Sequence, residues 1–129
     1  MDKKTALISD LKDATARLAE ALAEPSTDLI RDASIQRFEF TMDLAWKVMK
    51  AVLEDKYGLT CINPMDCIRT AFKQGIIEDD SFWLEMVRMR NQTSHMYLER
   101  LAVQVFNKLP EALKRFQSLL DQLTQQSSV

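Results

Sequence analysis

The stretch DLIRDASIQRFEFTMDLAWKVMKAVLEDKY, residues 28–57, decides the fold of this chain. Its apolar side chains recur at every third or fourth position, which is the spacing that keeps one face of an α-helix apolar. A helix of this length extends about 45 Å, so we expect it to set the length of a helical bundle. The predicted buried face consists of Ile35, Phe38, Met42, Ala45, Met49 and Val52, with Trp46 beside it.

Further helices are predicted on both sides of this stretch. Leucine and alanine at helical spacing predict a first helix over residues 3–23, and Asn63-Pro64 is a typical start for a short third helix over 64–74. A fourth helix is expected to open in the acidic segment 78–81, and a last one to cover 99–124. Pro110 lies inside the last helix and predicts a kink or break near Lys108. Residues 125–129 are expected to fray.

The composition agrees with an all-α fold, because only two glycines and three prolines punctuate 129 residues. We predict an antiparallel four-helix bundle with an additional short helix, forming a single domain over residues 1–129. The formal net charge of −2 means that nucleic acid would have to bind a local basic patch. No signal peptide or membrane span is visible, so Cys61 and Cys67 are expected to be reduced thiols in a cytoplasmic protein.

The segment RNQTSHMY, residues 90–97, contains the only histidine of the chain. Its Arg-x4-His-x-Tyr pattern resembles the signature of the HEPN superfamily, in the branch of nucleotidyltransferase substrate-binding proteins, or HepT-like toxins. The upstream sequence resembles the same family over roughly residues 30–100. The matching segments are RDASIQRFEFTMDLAWK (31–47), NPMDCIRTAFKQG (63–75) and WLEM (83–86).

This resemblance implies a helical homodimer, with higher assembly left open, encoded near a minimal nucleotidyltransferase that is its partner. It further implies metal-independent endoribonuclease activity on RNA, with Arg90 and His95 as the catalytic residues and no cofactor or metal. Asn91 occupies a position that is often polar in the family and is given a supporting role. In the toxin–antitoxin branch, the partner transfers AMP to the tyrosine of the motif, which is Tyr97 here.

Helix geometry gives a reason for the dimer. Five residues along a regular helix place two side chains about 140° apart, so Arg90 and His95 do not converge unless the helix ends between them. A two-fold axis near the motif would bring a second arginine and histidine alongside and build one cleft from two chains.

Structural interpretations of the same residues remain open. Arg90 lies at the edge of an apolar face and needs a partner, for which Glu39 is the candidate, so the pair can simply order the bundle. His95 can be a satisfied histidine, and Tyr97 a helix-end aromatic packed on the core. Catalysis by Glu39 and Asp43 is disfavoured against a surface pair between Asp43 and Lys47.

Two other functions also remain open. One is a non-catalytic subunit that binds a substrate or nucleotide ligand for a separate nucleotidyltransferase, with Arg90 and His95 lining the site. The other is a purely structural helical scaffold, which leaves the motif unexplained. Arg88, Arg90 and Arg100 flank the motif and are candidates for the local basic patch that RNA needs.

Overall fold

The computed structural model describes residues 2–127, with side chains as far as Gln125. This part of the chain contains five α-helices and no strand. They are α1 (Lys3–Leu22), α2 (Asp28–Tyr57), α3 (Pro64–Lys73), α4 (Ser81–Gln92) and α5 (Glu99–Ser127), with a 3₁₀ turn at Thr93–His95 between the last two. No helix among these residues is long and apolar enough to cross a bilayer.

Helix α2 is the centre of the fold and packs against α1, α3, α4 and α5. Its bounds are those predicted from the sequence. Thr27 caps its start by accepting a hydrogen bond from the backbone N–H of Ile30 at 3.1 Å, and Gly58 ends it in the left-handed conformation with φ of 65°. The α1–α2 pair is antiparallel, because Lys4 near the start of α1 contacts Asp55 near the end of α2 at 2.8 Å.

The predicted apolar face of α2 is buried at all six positions, and Trp46 is partly buried beside it. Three aromatic rings join the helices at its centre. Phe116 of α5 packs against Phe38 of α2 at 6.2 Å between ring centroids and against Trp83 of α4 at 5.7 Å, edge to face. The prediction of an all-α bundle with one short additional helix is confirmed.

The two cysteines in and after the turn before α3 are not in the predicted reduced state. Cys61 and Cys67 form a disulfide with their Cα atoms 5.0 Å apart, so the prediction of two free thiols is wrong. The reason is local: a tight turn between the two residues brings their Cα atoms within bonding range. That turn is made by Asn63, which accepts from the N–H of Asp66 at 2.9 Å, while Asp66 accepts from Ile62 at 2.9 Å.

Helix α5 runs unbroken from Glu99 to Ser127 although Pro110 lies inside it. Of the predicted kink or break near Lys108, the break is therefore absent. Pro110 itself is exposed, while Val105, Leu109 and Phe116 on either side are buried. Burial of apolar side chains on both sides of the proline outweighs the hydrogen bond that it cannot donate. Residues 125–127, where fraying is predicted, are helical and belong to α5, and residues 128–129 lie outside the described part.

Candidate functional site

The motif of residues 90–97 lies where α4 gives way to α5. Arg90 is in the last turn of α4, His95 ends the 3₁₀ turn, and Tyr97 lies just before α5. Thr93 makes the transition: its hydroxyl donates to the carbonyl oxygen of Arg90 at 2.7 Å, and its N–H bonds the same oxygen. A side chain that competes for a helix carbonyl favours termination. The helix therefore ends between Arg90 and His95, and the 140° separation of a regular helix does not apply to them.

The guanidinium of Arg90 is held by three side chains. Its Nε donates to Oδ1 of Asp43 and its Nη2 to Oδ2 of Asp43, both at 3.0 Å, which is a bidentate pair. Its Nη1 donates to the hydroxyl of Thr93 at 3.0 Å and lies 3.5 Å from Oε2 of Glu39. Glu39 is thus a real contact, but it is the weaker of the two carboxylate partners.

Asp43 is the partner of Arg90 that the sequence analysis missed. Asp43 was assigned to a surface pair with Lys47, whereas its carboxylate faces the last turn of α4. The available signal was its position four residues after Glu39, which places both on one face of α2. The hydrogen bonds to Asp43, followed by the charges of Asp43 and Glu39, raise the pKa of Arg90 above its usual value, against the opposing effect of burial.

An open cleft of about 330 Å³ lies beside this ion pair, between α2, α4 and the start of α3. Arg90 keeps 33% of its side chain exposed, so solvent reaches the guanidinium. Asn91, for which a supporting role is predicted, also lines this cleft. The residues lining it include Asp43, Trp46, Pro64, Arg90, Asn91 and Thr93.

His95 and Tyr97 form a second group, separate from the first. Both side chains are exposed, and their rings meet edge to face with centroids 6.1 Å apart. The side chain of Tyr97 is 78% exposed, so it is not packed on the core. Within the described part of one chain, Arg90 and Asn91 line one cleft and Glu39 lies 3.5 Å from Arg90, but His95 does not line that cleft.

A groove on the other side of Thr93 follows the first half of α2. It has a volume of about 520 Å³ and is lined by Asp32, Glu39, Leu29 and Met96 among others. We call it the α2 groove. Apolar side chains are exposed around this end of the molecule, Leu29 at 78% and Leu98 at 47%. The motif therefore lies beside a surface that is apolar and acidic.

Among residues 2–127, no three histidine, cysteine, aspartate or glutamate side chains are close enough together to form a metal site. The carboxylates of Asp43 and Glu39 both contact the guanidinium of Arg90.

Comparison with known proteins assigns the family. Residues 6–125 match the family described as nucleotidyltransferase substrate binding protein like. The chain belongs to this family. The resemblance read from the motif and the flanking segments is confirmed by this match.

Two proteins with solved structures share the fold. The chain is 37% identical to a Thermus thermophilus protein whose crystal structure superposes with a TM-score of 0.83, covering 88% of this chain and 98% of the other. It is 28% identical to a Haemophilus influenzae protein, with a TM-score of 0.69 over 94% of this chain and 96% of the other. The structure of the second is described as the fold of a substrate binding domain of a nucleotidyltransferase.

A relative with an assigned activity is also similar in sequence. The chain is 33% identical to the "Probable ribonuclease HepT" of Haemophilus influenzae, over 78% of this chain and 71% of that protein. The family match over residues 6–125 includes the helices that carry Glu39 and Asp43 as well as the motif itself.

Proposed function

We propose that this protein is a metal-independent endoribonuclease, the toxin of a toxin–antitoxin pair whose other member is a nucleotidyltransferase. It acts in the cytoplasm as a homodimer of single-domain chains. The observation that carries the proposal is the break in α4 after Gln92, which leaves an oriented guanidinium on the last helical turn and an exposed imidazole immediately beyond it. The similarity to a probable ribonuclease supports the same reaction class.

Arg90 is suited to bind a phosphodiester. A guanidinium has five N–H donors, and Asp43 takes two of them while Thr93 takes one. Two donors remain for the non-bridging oxygens of a phosphate, and Glu39 at 3.5 Å is the group that the phosphate would displace. Asp43 fixes the plane of the guanidinium and so acts as a positioning residue. Charge that grows on the phosphoryl oxygens is then met by a preorganised cation.

His95 supplies proton transfer. The 2′-oxygen of the ribose attacks the adjacent phosphorus, the bond from phosphorus to the 5′-oxygen breaks, and a cyclic 2′,3′-phosphate and a 5′-hydroxyl result. One imidazole takes the proton from the 2′-hydroxyl, and a protonated imidazole gives a proton to the leaving 5′-oxygen. Two copies of His95, one from each subunit, provide both roles at once.

The dimer supplies what one chain lacks. In a single chain, His95 stays outside the cleft of Arg90, so a second subunit has to bring its own motif alongside. The exposed apolar side chains of Leu29 and Leu98 lie at this end of the molecule and are suited to such a contact. A two-fold axis beside them would bring both motifs together, so that one shared site contains two copies of Arg90 and two copies of His95.

RNA cleavage tests the catalytic assignment. Purified protein and RNA are incubated in EDTA, and the ends of the products are analysed by mass spectrometry. We expect products with cyclic 2′,3′-phosphate ends, and a loss of rate of about 100-fold or more with His95→Ala, in the range of general acid–base catalysis. Absence of cleavage, or cleavage that survives His95→Ala unchanged, would contradict the proposal.

Modification of Tyr97 tests the partnership. An exposed phenol just before α5 is accessible to an enzyme that transfers AMP from ATP. In that step the tyrosine oxygen forms a bond to the α-phosphorus and pyrophosphate leaves. Incubation with the nucleotidyltransferase encoded nearby and ATP should add AMP to the peptide that contains Tyr97, and Tyr97→Phe should abolish the addition. An unmodified peptide after incubation with active partner would refute this role.

Two observations favour the second candidate, a non-catalytic subunit that binds a substrate or nucleotide for the nucleotidyltransferase. Arg90 is paired with two carboxylates, and the chain carries a net charge of −2, both of which weaken attraction for a polyanion. Under this function the protein would bind a mononucleotide in the cleft and leave RNA intact. Equilibrium dialysis with AMP and ATP, run beside the cleavage assay, separates the two functions.

A further inference from the structure

A polar groove separates α4 from α5 on the side of α4 that faces away from the Arg90 cleft. It has a volume of about 350 Å³. One wall is α4, with Glu85, Arg88 and Gln92, and the other is α5, with Gln104 and Lys108. We call it the α4–α5 groove. The catalytic roles proposed above do not use its basic residues, of which Arg88 is a candidate from the sequence for a local basic patch.

The groove begins at the motif. Gln92 is the last residue of α4 and directly precedes the 3₁₀ turn that ends at His95. Arg88 lies one helical turn further along the same wall. On the facing wall, Arg100 lies one turn before Gln104 and Lys108 one turn after it, so these three side chains share one face of α5. A single RNA strand bound across the motif can therefore continue into the groove along the protein surface.

Charge separates this groove from the α2 groove on the other side of the motif. The α2 groove is lined by Asp32 and Glu39 and, within the described part of the chain, by no cation. The α4–α5 groove is lined by Arg88 and Lys108 against the carboxylate of Glu85, which pairs with Lys108. Arginines partly offset the carboxylates of the α2 groove, since Asp32 lies 3.7 Å from Arg31 and Glu39 lies 3.5 Å from Arg90. A polyanion bound at Arg90 is therefore attracted more strongly toward Arg88 in the α4–α5 groove than along α2.

We propose that the α4–α5 groove binds the single-stranded RNA that continues from the scissile phosphate. This inference rests on the proposed endoribonuclease function and adds the path of the substrate. Arg88 is the main phosphate contact, because its side chain is exposed and none of the contacts described for residues 2–127 pairs it with an anion. The amides of Gln92 and Gln104 each offer both donors and acceptors, which suits the edges of unpaired bases.

RNA binding by an inactive protein tests the role of Arg88. Arg88→Ala is made in the His95→Ala background, so that the RNA stays intact, and binding of a fluorescent single-stranded RNA is followed by anisotropy over a range of salt concentrations. We expect binding about tenfold weaker and a slope of log K against log salt that is smaller by about 0.7, the loss of one phosphate contact to a single strand. The matched control is Arg69→Ala, which removes the same charge from an exposed site on α3.

Substrate length gives a second readout in the active protein. A dinucleoside monophosphate contains only the scissile phosphate and has no second phosphate for Arg88, whereas an RNA of about ten nucleotides continues into the groove. Arg88→Ala should raise KM for the longer RNA about tenfold and leave kcat and the dinucleotide reaction unchanged. A general loss of folding would lower both reactions together.

The outcomes separate this inference from the function on which it rests. Cleavage of RNA by the wild-type protein, with Arg88→Ala and Arg69→Ala equal in binding and KM, would overturn the groove alone. Loss of co-purification with the nucleotidyltransferase in Arg88→Ala, with RNA binding retained, would make the groove a protein-docking site and also overturn it. If the wild-type protein neither binds nor cleaves RNA, the proposed function fails and the groove inference fails with it.

Discussion

At the scale of single residues, the ion pair between Arg90 and Asp43 links the fold to the candidate chemistry. It joins the last turn of α4 to the middle of α2, and it also sets the direction in which the guanidinium points. Arginine and lysine are not equivalent in such a pair, because only the planar guanidinium can bond both carboxylate oxygens side by side. The same contact therefore has a structural role and a positioning role, and substitutions can separate them.

Substitution of Asp43 separates the two roles. Asp43→Ala should lower kcat of RNA cleavage by about tenfold or more, because the guanidinium loses its fixed orientation. It should lower the free energy of unfolding by only about 1 kcal/mol, since both side chains are a third or more exposed and solvent screens the pair. The measurements are cleavage kinetics and urea denaturation.

Asp43→Glu is the control for that experiment, because it keeps the carboxylate on a longer stem. It should restore part of the lost kcat. Equal activity of Asp43→Ala and the wild-type protein would show that orientation of Arg90 by Asp43 does not matter to the reaction.

At the scale of elements, helix α5 stays intact across an exposed proline because buried side chains hold it on both sides. Pro110→Ala should raise the free energy of unfolding by about 1–3 kcal/mol, since alanine restores the backbone N–H and loses no packing. The increase would be measured as a higher urea midpoint. Gln117→Ala, an exposed substitution on the same helix, should change it by less than about 0.5 kcal/mol. A midpoint that falls in Pro110→Ala would mean that the proline relieves strain elsewhere in α5.

The turn before α3 is fixed twice, by the disulfide between Cys61 and Cys67 and by the hydrogen bonds of Asn63 and Asp66. Reduction with dithiothreitol should lower the free energy of unfolding by about 2 kcal/mol, from the entropy of a short closed loop. The helical circular dichroism should stay unchanged, because the cap of α3 does not depend on the disulfide. Alkylation and mass spectrometry would count the thiols. An unaltered urea midpoint after complete reduction would contradict the estimate.

At the scale of the whole molecule, the two grooves beside the motif differ in charge. The α2 groove beside it is acidic, and the α4–α5 groove is basic, within a chain whose net charge is only −2. The net charge alone argues against a polyanionic ligand, but the charge of the α4–α5 groove favours binding of one there. Exposed apolar side chains also lie near the motif, where Leu29 and Tyr97 are each 78% exposed.

The apolar surface beside the motif leads to a prediction about assembly. Leu29→Glu should convert the proposed dimer into a folded monomer and abolish RNA cleavage, because each subunit then lacks the second motif. Ile62→Glu is the matched control: its side chain is 82% exposed but lies at the turn before α3. Light scattering after size-exclusion chromatography measures the mass. Retention of the dimer in Leu29→Glu would place the interface elsewhere.

Local sequence patterns were sufficient for most of the helices. The face of α2 from Ile35 to Val52 repeats at the helical period, and caps at Thr27, Asn63 and Gly58 mark helix ends by their own hydrogen bonds or backbone conformation. A break at Pro110, one of the two alternatives predicted there, is absent because burial of apolar side chains on both sides outweighs the local cost of the proline. The prediction that Cys61 and Cys67 are free thiols was wrong for a similar reason, since their spacing in the sequence does not give the distance between their Cα atoms.

What the sequence by itself determined was the set of helices, the family and the motif that contains Arg90, His95 and Tyr97. These depend on interactions within a few residues along the chain, or on a pattern that can be read without coordinates. Only the tertiary structure decided that Asp43 holds Arg90 more closely than Glu39 does, and that the two grooves beside the motif carry opposite charge. Those facts depend on which helix faces meet, and that is set by the packing of the whole core around α2.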